Sequence, residues 1–342
     1  MNVLILSKNY EQYRSGYYHQ DIIDSFVKLT NAFVYGPGYS EYSSGDDIDA
    51  IIEKSGFSKS NLDLIVCSTS WDVDTSMTEV DPHPNIDLSK INDIQKIYFL
   101  NKEYKKLDLR FDYIKKQKFD LVCTVHPDAK KWEKEIDIPF LHLPFGISLE
   151  RFQDFGQEKK YDFSFTGGLH KSHTDFRYKV KEQLFDKRFM DMKANRGLSA
   201  FMRPSPLKKQ YKKYSIYWAE WGSRDFFYRS MLPKGKNYAE FMNKSKVFLN
   251  TPSAIGIFNT RFFELMATKA LIFCPKVEDQ YMDFLIDGQN CVMFDPDMHD
   301  FDEKLIGIIE DDTQRKKIVE NAYQDRRLHS YDSRIKTLLD YL

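Results

Sequence analysis

What the chain has little of narrows its class first. Only four cysteines occur in 342 residues, Cys67, Cys123, Cys274 and Cys291, none in C-x-x-C spacing and each in or beside an apolar run. They read as reduced core thiols, which argues against a disulfide scaffold and against a thiolate metal centre. No apolar run approaches the roughly 20 residues that span a bilayer. The amino terminus, MNVLILSKNYEQ, has no signal-peptide design. Long blocks of one charge sign are missing too, since 50 basic residues nearly cancel 51 acidic ones, and nothing favours a wide nucleic-acid footprint. The segment after the first apolar run, from Ser7 to Asp21, lacks G-x-G-x-x-G, which argues against a classical dinucleotide fold. A cytoplasmic protein without a transmembrane segment is expected, with basic and aromatic surface that leaves room for peripheral membrane contact.

What is present has a clear rhythm. Short apolar runs at 2–7, 32–35, 62–67, 97–100, 121–124 and 140–143 alternate with helical stretches at 20–29, 46–55 and 106–117. The alternation resumes at 162–165 and 176–184, and the chain from 300 to its end reads as helical. Such alternation implies parallel, doubly wound α/β sheets. The length exceeds that of a usual single domain and divides into two, each able to bury a core. The aromatic share is high at 15%; most of it is expected in cores, with a supply left for stacking on sugars.

Residues 250–275, NTPSAIGIFNTRFFELMATKALIFCP, carry the most chemistry. The apolar runs Val247, Phe248, Leu249 and Leu271, Ile272, Phe273 flank a helix that either Asn259 or Thr260 can cap. Arg261 and Glu264 fall in its first turns. A helix start offers free N–H groups and the positive end of a dipole, so a diphosphate fits there with Arg261 adding a forked charge. A carboxylate at Glu264 suits the vicinal hydroxyls of a ribose. On helix statistics alone, Glu264 could equally complement the dipole while Arg261 lies in solvent.

The pattern N-x-R-x-F-E followed by LMATKALIF and FLIDGQNCVMFDPD resembles the carboxy-terminal half of GT-B fold glycosyltransferases, most closely the CgeB-like (spore maturation protein) group. KKYDFSFTGGLHKSHTDFR at 159–177, YAEFMNKSKVFLN at 238–250 and IPFLHLPFGISLERF at 138–152 extend the likeness over the last 205 or so residues. The resemblance implies an acceptor-side domain over 1–150, a nucleotide-sugar donor domain over 151–325 and a last helix, 326–342, returning to the first domain. It also implies a metal-independent reaction with no cofactor. Many retaining members carry a Glu-x7-Glu pair; here the earlier position is Gly256, so the sugar must be read by backbone around Ala254 to Ile257 or by the other domain.

Ligands of open α/β sheets sit outside the carboxyl ends of the strands, which ranks the remaining candidates. Gly167 and Gly168 follow one strand and let backbone approach a diphosphate, with His170 and Arg177 nearby. After the first strand His19 has a pKa suited to a general base on an acceptor hydroxyl. Glu103, after the run ending at Leu100, is a second base or acceptor-positioning candidate, and His126 a contact to a sugar or acceptor. Each competes with a plain helix-start or capping role. Asp72 and Asp74 form an Asp-x-Asp of the kind that holds a divalent cation, but a single-domain layout built on it leaves the second half unexplained. The aromatic-basic stretch 186–236 breaks the rhythm, with Trp218, Trp221 and Arg224 undecided between core and ligand.

These readings converge on transfer of a sugar from a nucleoside-diphosphate donor to a glycan, lipid-linked, protein or modified nucleic-acid acceptor, the last disfavoured by the balanced charge. A nucleotide-sugar epimerase of similar fold, and a non-catalytic sugar or nucleotide-binding module of an envelope or spore layer, are the alternatives.

Overall fold

The computed structural model describes every residue except 12–15, 69–82, 84, 101–105, 170–174, 187–205, 222–230, 234–236, 254–255 and 278–282. Glu103, His170, Asp72, Asp74, Arg224 and Ala254 therefore lie outside the described residues. The chain forms two compact units, residues 1–146 with 329–342, and residues 147–328.

The first unit is built from β1 (Asn2–Leu6), α1 (Tyr17–Leu29), β2 (Asn31–Tyr35), α2 (Ile48–Lys54), β3 (Leu64–Cys67), β4 (Gln95–Phe99), α3 (Leu107–Gln117), β5 (Leu121–Thr124), α4 (Ala129–Ile136) and β6 (Phe140–His142). The strands form one sheet in the order β2-β1-β3-β4-β5-β6, with every pairing parallel. Alternate residues of β1 serve opposite faces: Leu4 and Leu6 join one apolar cluster, Val3 and Ile5 another. A strand that must feed two cores reads as an unbroken apolar run, which is why NVLIL has no polar alternation. The polar exception on β4 is Lys96, 3% exposed, whose Nζ donates to the carbonyls of Leu88, Ile91 and Gln117 at 3.2, 2.8 and 3.2 Å. Three carbonyls replace the water shell of that ammonium and pin a loop to the end of α3.

The second unit holds β7 (Tyr161–Gly168), α5 (Asp175–Leu184), β8 (Ile216–Trp221), α6 (Asn237–Asn243), β9 (Ser245–Leu249), α7 (Thr260–Ala267), β10 (Leu271–Pro275), β11 (Val292–Phe294), α8 (Phe301–Glu310) and α9 (Asp312–Asp325). Its sheet runs β11-β10-β9-β7-β8, again parallel throughout. Strand β8 falls in the stretch where the sequence rhythm fails. It is an edge strand with Trp218 buried against Phe165, ring centroids 4.3 Å apart, so the aromatic density there is in part core.

The last helix, α10 (Tyr331–Tyr341), belongs to the first unit. Ile335 and Leu338 enter the same cluster as Ile23 and Phe26 of α1, while Asp332 accepts from Ser25 Oγ at 2.8 Å and pairs with Lys28. Its approach is closed by Gly146, where an added Cβ would lie 3.0 Å from both the His329 carbonyl and the Tyr331 nitrogen. Beside it Arg334 Nη2 donates to His329 Nδ1 at 3.0 Å, an arrangement that requires a neutral imidazole. Burial first, and the Arg334 charge second, push His329 from 6.5 down to about 4.

The folded pKa lies below the unfolded one, so the folded chain binds fewer protons and stability is lost as pH falls from 6.5 towards 4. We expect the urea midpoint to drop between pH 7 and pH 5 by an amount worth roughly 2 kcal/mol from this residue. His329→Gln should flatten that part of the profile; an unchanged slope would exclude His329 as its source.

Candidate functional site

The candidate donor-binding residues gather in the second unit at the carboxyl ends of β7 and β9. Pairing of β7 with β9 reaches Ser164↔Phe248, whereas pairing with β8 continues to Gly168↔Trp221. The β7 carbonyls beyond Ser164 on the β9 side thus need other donors. Two arginines supply them. Arg261 Nη1 donates to the Thr166 carbonyl at 2.6 Å and Arg177 Nη1 to the Gly168 carbonyl at 3.1 Å.

Each guanidinium is held at a second point. Arg177 Nε donates to Thr251 Oγ1 at 2.7 Å, and the group lies 5.9 Å from the centre of the Phe165 ring. Arg261 Nε donates to the Tyr238 hydroxyl at 2.6 Å, and its charge sits over the rings of Tyr238 and Phe248 at 5.8 and 5.9 Å. Arg261 is therefore engaged with protein groups rather than lying in solvent. Burial, and then the positive charge of Arg261, lower Arg177 to about 10. No carboxylate among the described residues pairs with Arg177, so its charge is held there by neutral groups.

The start of α7 is built into the same network. Asn259 is its cap: Oδ1 accepts from the Arg261 N–H at 3.2 Å. Asn259 Nδ2 donates to the Thr251 carbonyl at 2.7 Å, which fixes the amide's orientation, and Asn250 Nδ2 then donates to the same Oδ1 at 3.1 Å. Asn250 is fully buried and its own Oδ1 has no hydrogen-bond partner among the described residues. Thr260 stands as the first helical residue. Glu264 is 1% exposed, and its charge helps raise the phenol of Tyr238, whose shift is due first to burial.

The loop between β9 and α7 closes on itself. Ser253 N donates to the Ile257 carbonyl at 2.9 Å, and Ile257 N to Ser253 Oγ at 3.1 Å. Gly256 takes φ +75° with open space at its Cβ position. Ile257 and Phe258 are buried, the latter stacked on Phe262 at 3.9 Å.

The structure brings Gly167, Gly168, Arg177, Asn259, Thr260, Arg261 and Glu264 into this one unit, with Ile257 on the adjoining loop. His19 and His126 lie in the other. His19 is buried on α1 between the rings of Tyr10 and Tyr18, at 4.7 and 4.1 Å. His126 follows β5, where Nδ1 accepts from Asp128 N at 3.0 Å ahead of α4 and the ring packs on Trp132 at 4.8 Å. Sequence reasoning missed Tyr238, Asn250 and Thr251. The last two directly follow the apolar run Val247–Leu249, a strand-end position that alone would have flagged them. It also missed Glu220, at the end of β8, buried with Trp218 Nε1 donating to it at 2.7 Å and paired with Lys181 one turn beyond Arg177 on α5. For a metal, the described residues offer one cluster, Asp295, Asp297 and His299. It is largely exposed and already engaged, with Lys276 on Asp295 at 2.9 Å and His299 on Asp297 at 2.5 Å. No helix among the described residues is long and apolar enough to cross a membrane.

Residues 199–340 match the family model described as glycosyl transferase-like. No curated protein matches the chain in sequence. Among solved structures, HepE of Anabaena in complex with UDP and glucose is similar over 100% of both chains, with TM-score 0.57 and 11% identity. Sucrose-phosphate synthase of Thermosynechococcus elongatus gives TM-score 0.57 at 9% identity over 100% of this chain and 98% of that one. A glycosyltransferase of Rickettsia africae gives TM-score 0.54 at 12% identity over 99% and 97%. The second half of the chain is thus similar to a glycosyl transferase-like domain, and the two parallel α/β sheets follow the GT-B fold.

A Cβ added at Gly167 would meet the Phe165 ring at 3.0 Å and Arg177 Nη1 at 3.3 Å. Gly167→Ala should therefore displace the Arg177 guanidinium and weaken binding of inorganic pyrophosphate by about tenfold, the loss of one charge-assisted hydrogen bond. Titration calorimetry of the two proteins decides it, and equal affinities would remove Gly167 from the site.

Proposed function

We propose that this chain is a glycosyltransferase that takes its sugar from a nucleoside-diphosphate donor held in the second unit. The observation that carries the reading is the pair of guanidinium groups of Arg177 and Arg261, with no carboxylate on Arg177 among the described residues, beside the capped amino end of α7. Burying the Arg177 charge with no counter-ion among the described residues costs stability in the free protein, and an incoming dianionic diphosphate recovers that cost. The two arginines and the N–H groups of α7 then face the charge that grows on the departing nucleotide when the glycosidic bond to phosphate breaks, so this reading assigns leaving-group stabilisation to them rather than to a metal. Glu264 is assigned to the ribose hydroxyls as an acceptor. Ile257 and its neighbours line the sugar end, with Gly256 offering backbone where a carboxylate side chain stands in many retaining enzymes.

In the first unit, His19 and Glu103 are the proposed acceptor-side groups; His126 of that unit and His170 of the second are the proposed contacts to sugar or acceptor. The chain is further proposed to belong with the CgeB-like group, on N-T-R-F-F-E at 259–264. A uridine nucleotide is the first donor to try, because HepE was solved with UDP and glucose.

The test is a thermal-shift panel of UDP, GDP, CMP and dTDP sugars on the wild type and on Glu264→Gln. A donor at a hundred times its dissociation constant should add about 2.7 kcal/mol of stability, and the variant should lose most of that gain. Absence of any shift in the wild type, or equal shifts in both proteins, would defeat the donor-site assignment.

A further inference from the structure

We propose that Thr251 is a positioning residue that couples Arg177 and Arg261 into a single diphosphate clamp; the inference rests on the donor-site reading above and deepens it. Thr251 is 3% exposed at the carboxyl end of β9. It reaches Arg177 directly and the helix start that carries Arg261 through Asn259. Its hydroxyl oxygen accepts from Arg177 Nε at 2.7 Å, and its carbonyl accepts from Asn259 Nδ2 at 2.7 Å. Asn259 in turn caps the helix turn that carries Arg261. One residue therefore sets the plane of one guanidinium directly and fixes the helix start that presents the other.

The need for such a device follows from electrostatics. The two cations repel, as the lowering of Arg177 by Arg261 records, and a side chain as rotamer-rich as arginine would swing towards solvent unless held. Arg177 is held at Nε by Thr251 and at Nη1 by Gly168. A planar fork fixed at those two nitrogens leaves Nη2 with a defined direction and no partner among the described residues, ready for a phosphate oxygen. Removing the Thr251 hydroxyl leaves the charge in place but frees its direction, so binding falls while the cation remains.

The experiment is titration calorimetry of the full chain with inorganic pyrophosphate and with UDP, on wild type, Thr251→Val, Thr251→Ser, Arg177→Met, Arg261→Met and the pairs of Thr251→Val with each arginine variant. Thr251→Val should weaken both ligands by about tenfold, and Thr251→Ser should restore affinity to within about threefold, because the hydroxyl returns. In the Arg177→Met background Thr251→Val should have no further effect, whereas a merely structural residue would weaken binding equally in every background. The inference is overturned if Thr251→Val binds like the wild type while Arg177→Met does not, or if the losses add in the Arg177→Met background. A wild type that binds neither ligand would overturn the donor-site reading together with this one.

Discussion

The second unit depends on how β7 ends. A strand leaving its neighbour exposes carbonyl oxygens that must find donors, and here the donors are the guanidinium groups of Arg177 and Arg261 on the carbonyls of Gly168 and Thr166. The backbone ladder between β7 and β9 is continued for two more carbonyl positions by side chains. That solution places positive charge where the strands of an open α/β sheet end and where the first turn of α7 points its N–H groups. Fold and site are thus one arrangement: the same bonds that finish the sheet hold the cations.

Neutral groups set the direction of both guanidinium groups. Thr251, Asn259, Asn250 and Tyr238 do this with hydroxyls and amides, which direct a guanidinium without cancelling its charge. The nearby carboxylate of Glu220 is kept for Lys181 and the indole of Trp218. Because Lys181 lies one turn beyond Arg177 on α5, that buried pair anchors the helix face from which Arg177 reaches.

The alternation of elements was legible because strands buried on both faces read as plain apolar runs, as in β1, β3, β9 and β10. The helix of the Arg261 motif was legible through its capping residue, and Asn259 proved to be the cap. Strand β8 was not legible: IYWAEW mixes a buried indole with a buried carboxylate, and only the tertiary partners Lys181 and Phe165 make that composition stable in a sheet. Tyr238 and Thr251 escaped for a similar reason. Their roles lie in which atom they present to an arginine many residues away, and periodicity holds no record of that.

Gly256 bears on how this site could change over generations. Its φ of +75° lies in the left-handed region, and the turn that needs it is closed by Ser253 and Ile257. A Cβ added there meets open space, but a glutamate arriving by mutation would hold its backbone at a cost of about 1 to 2 kcal/mol. A carboxylate gained at 256 would therefore carry that backbone penalty unless the loop also changed its length or shape. Selection on any side chain at this corner therefore acts on the backbone as well as on the group it would add.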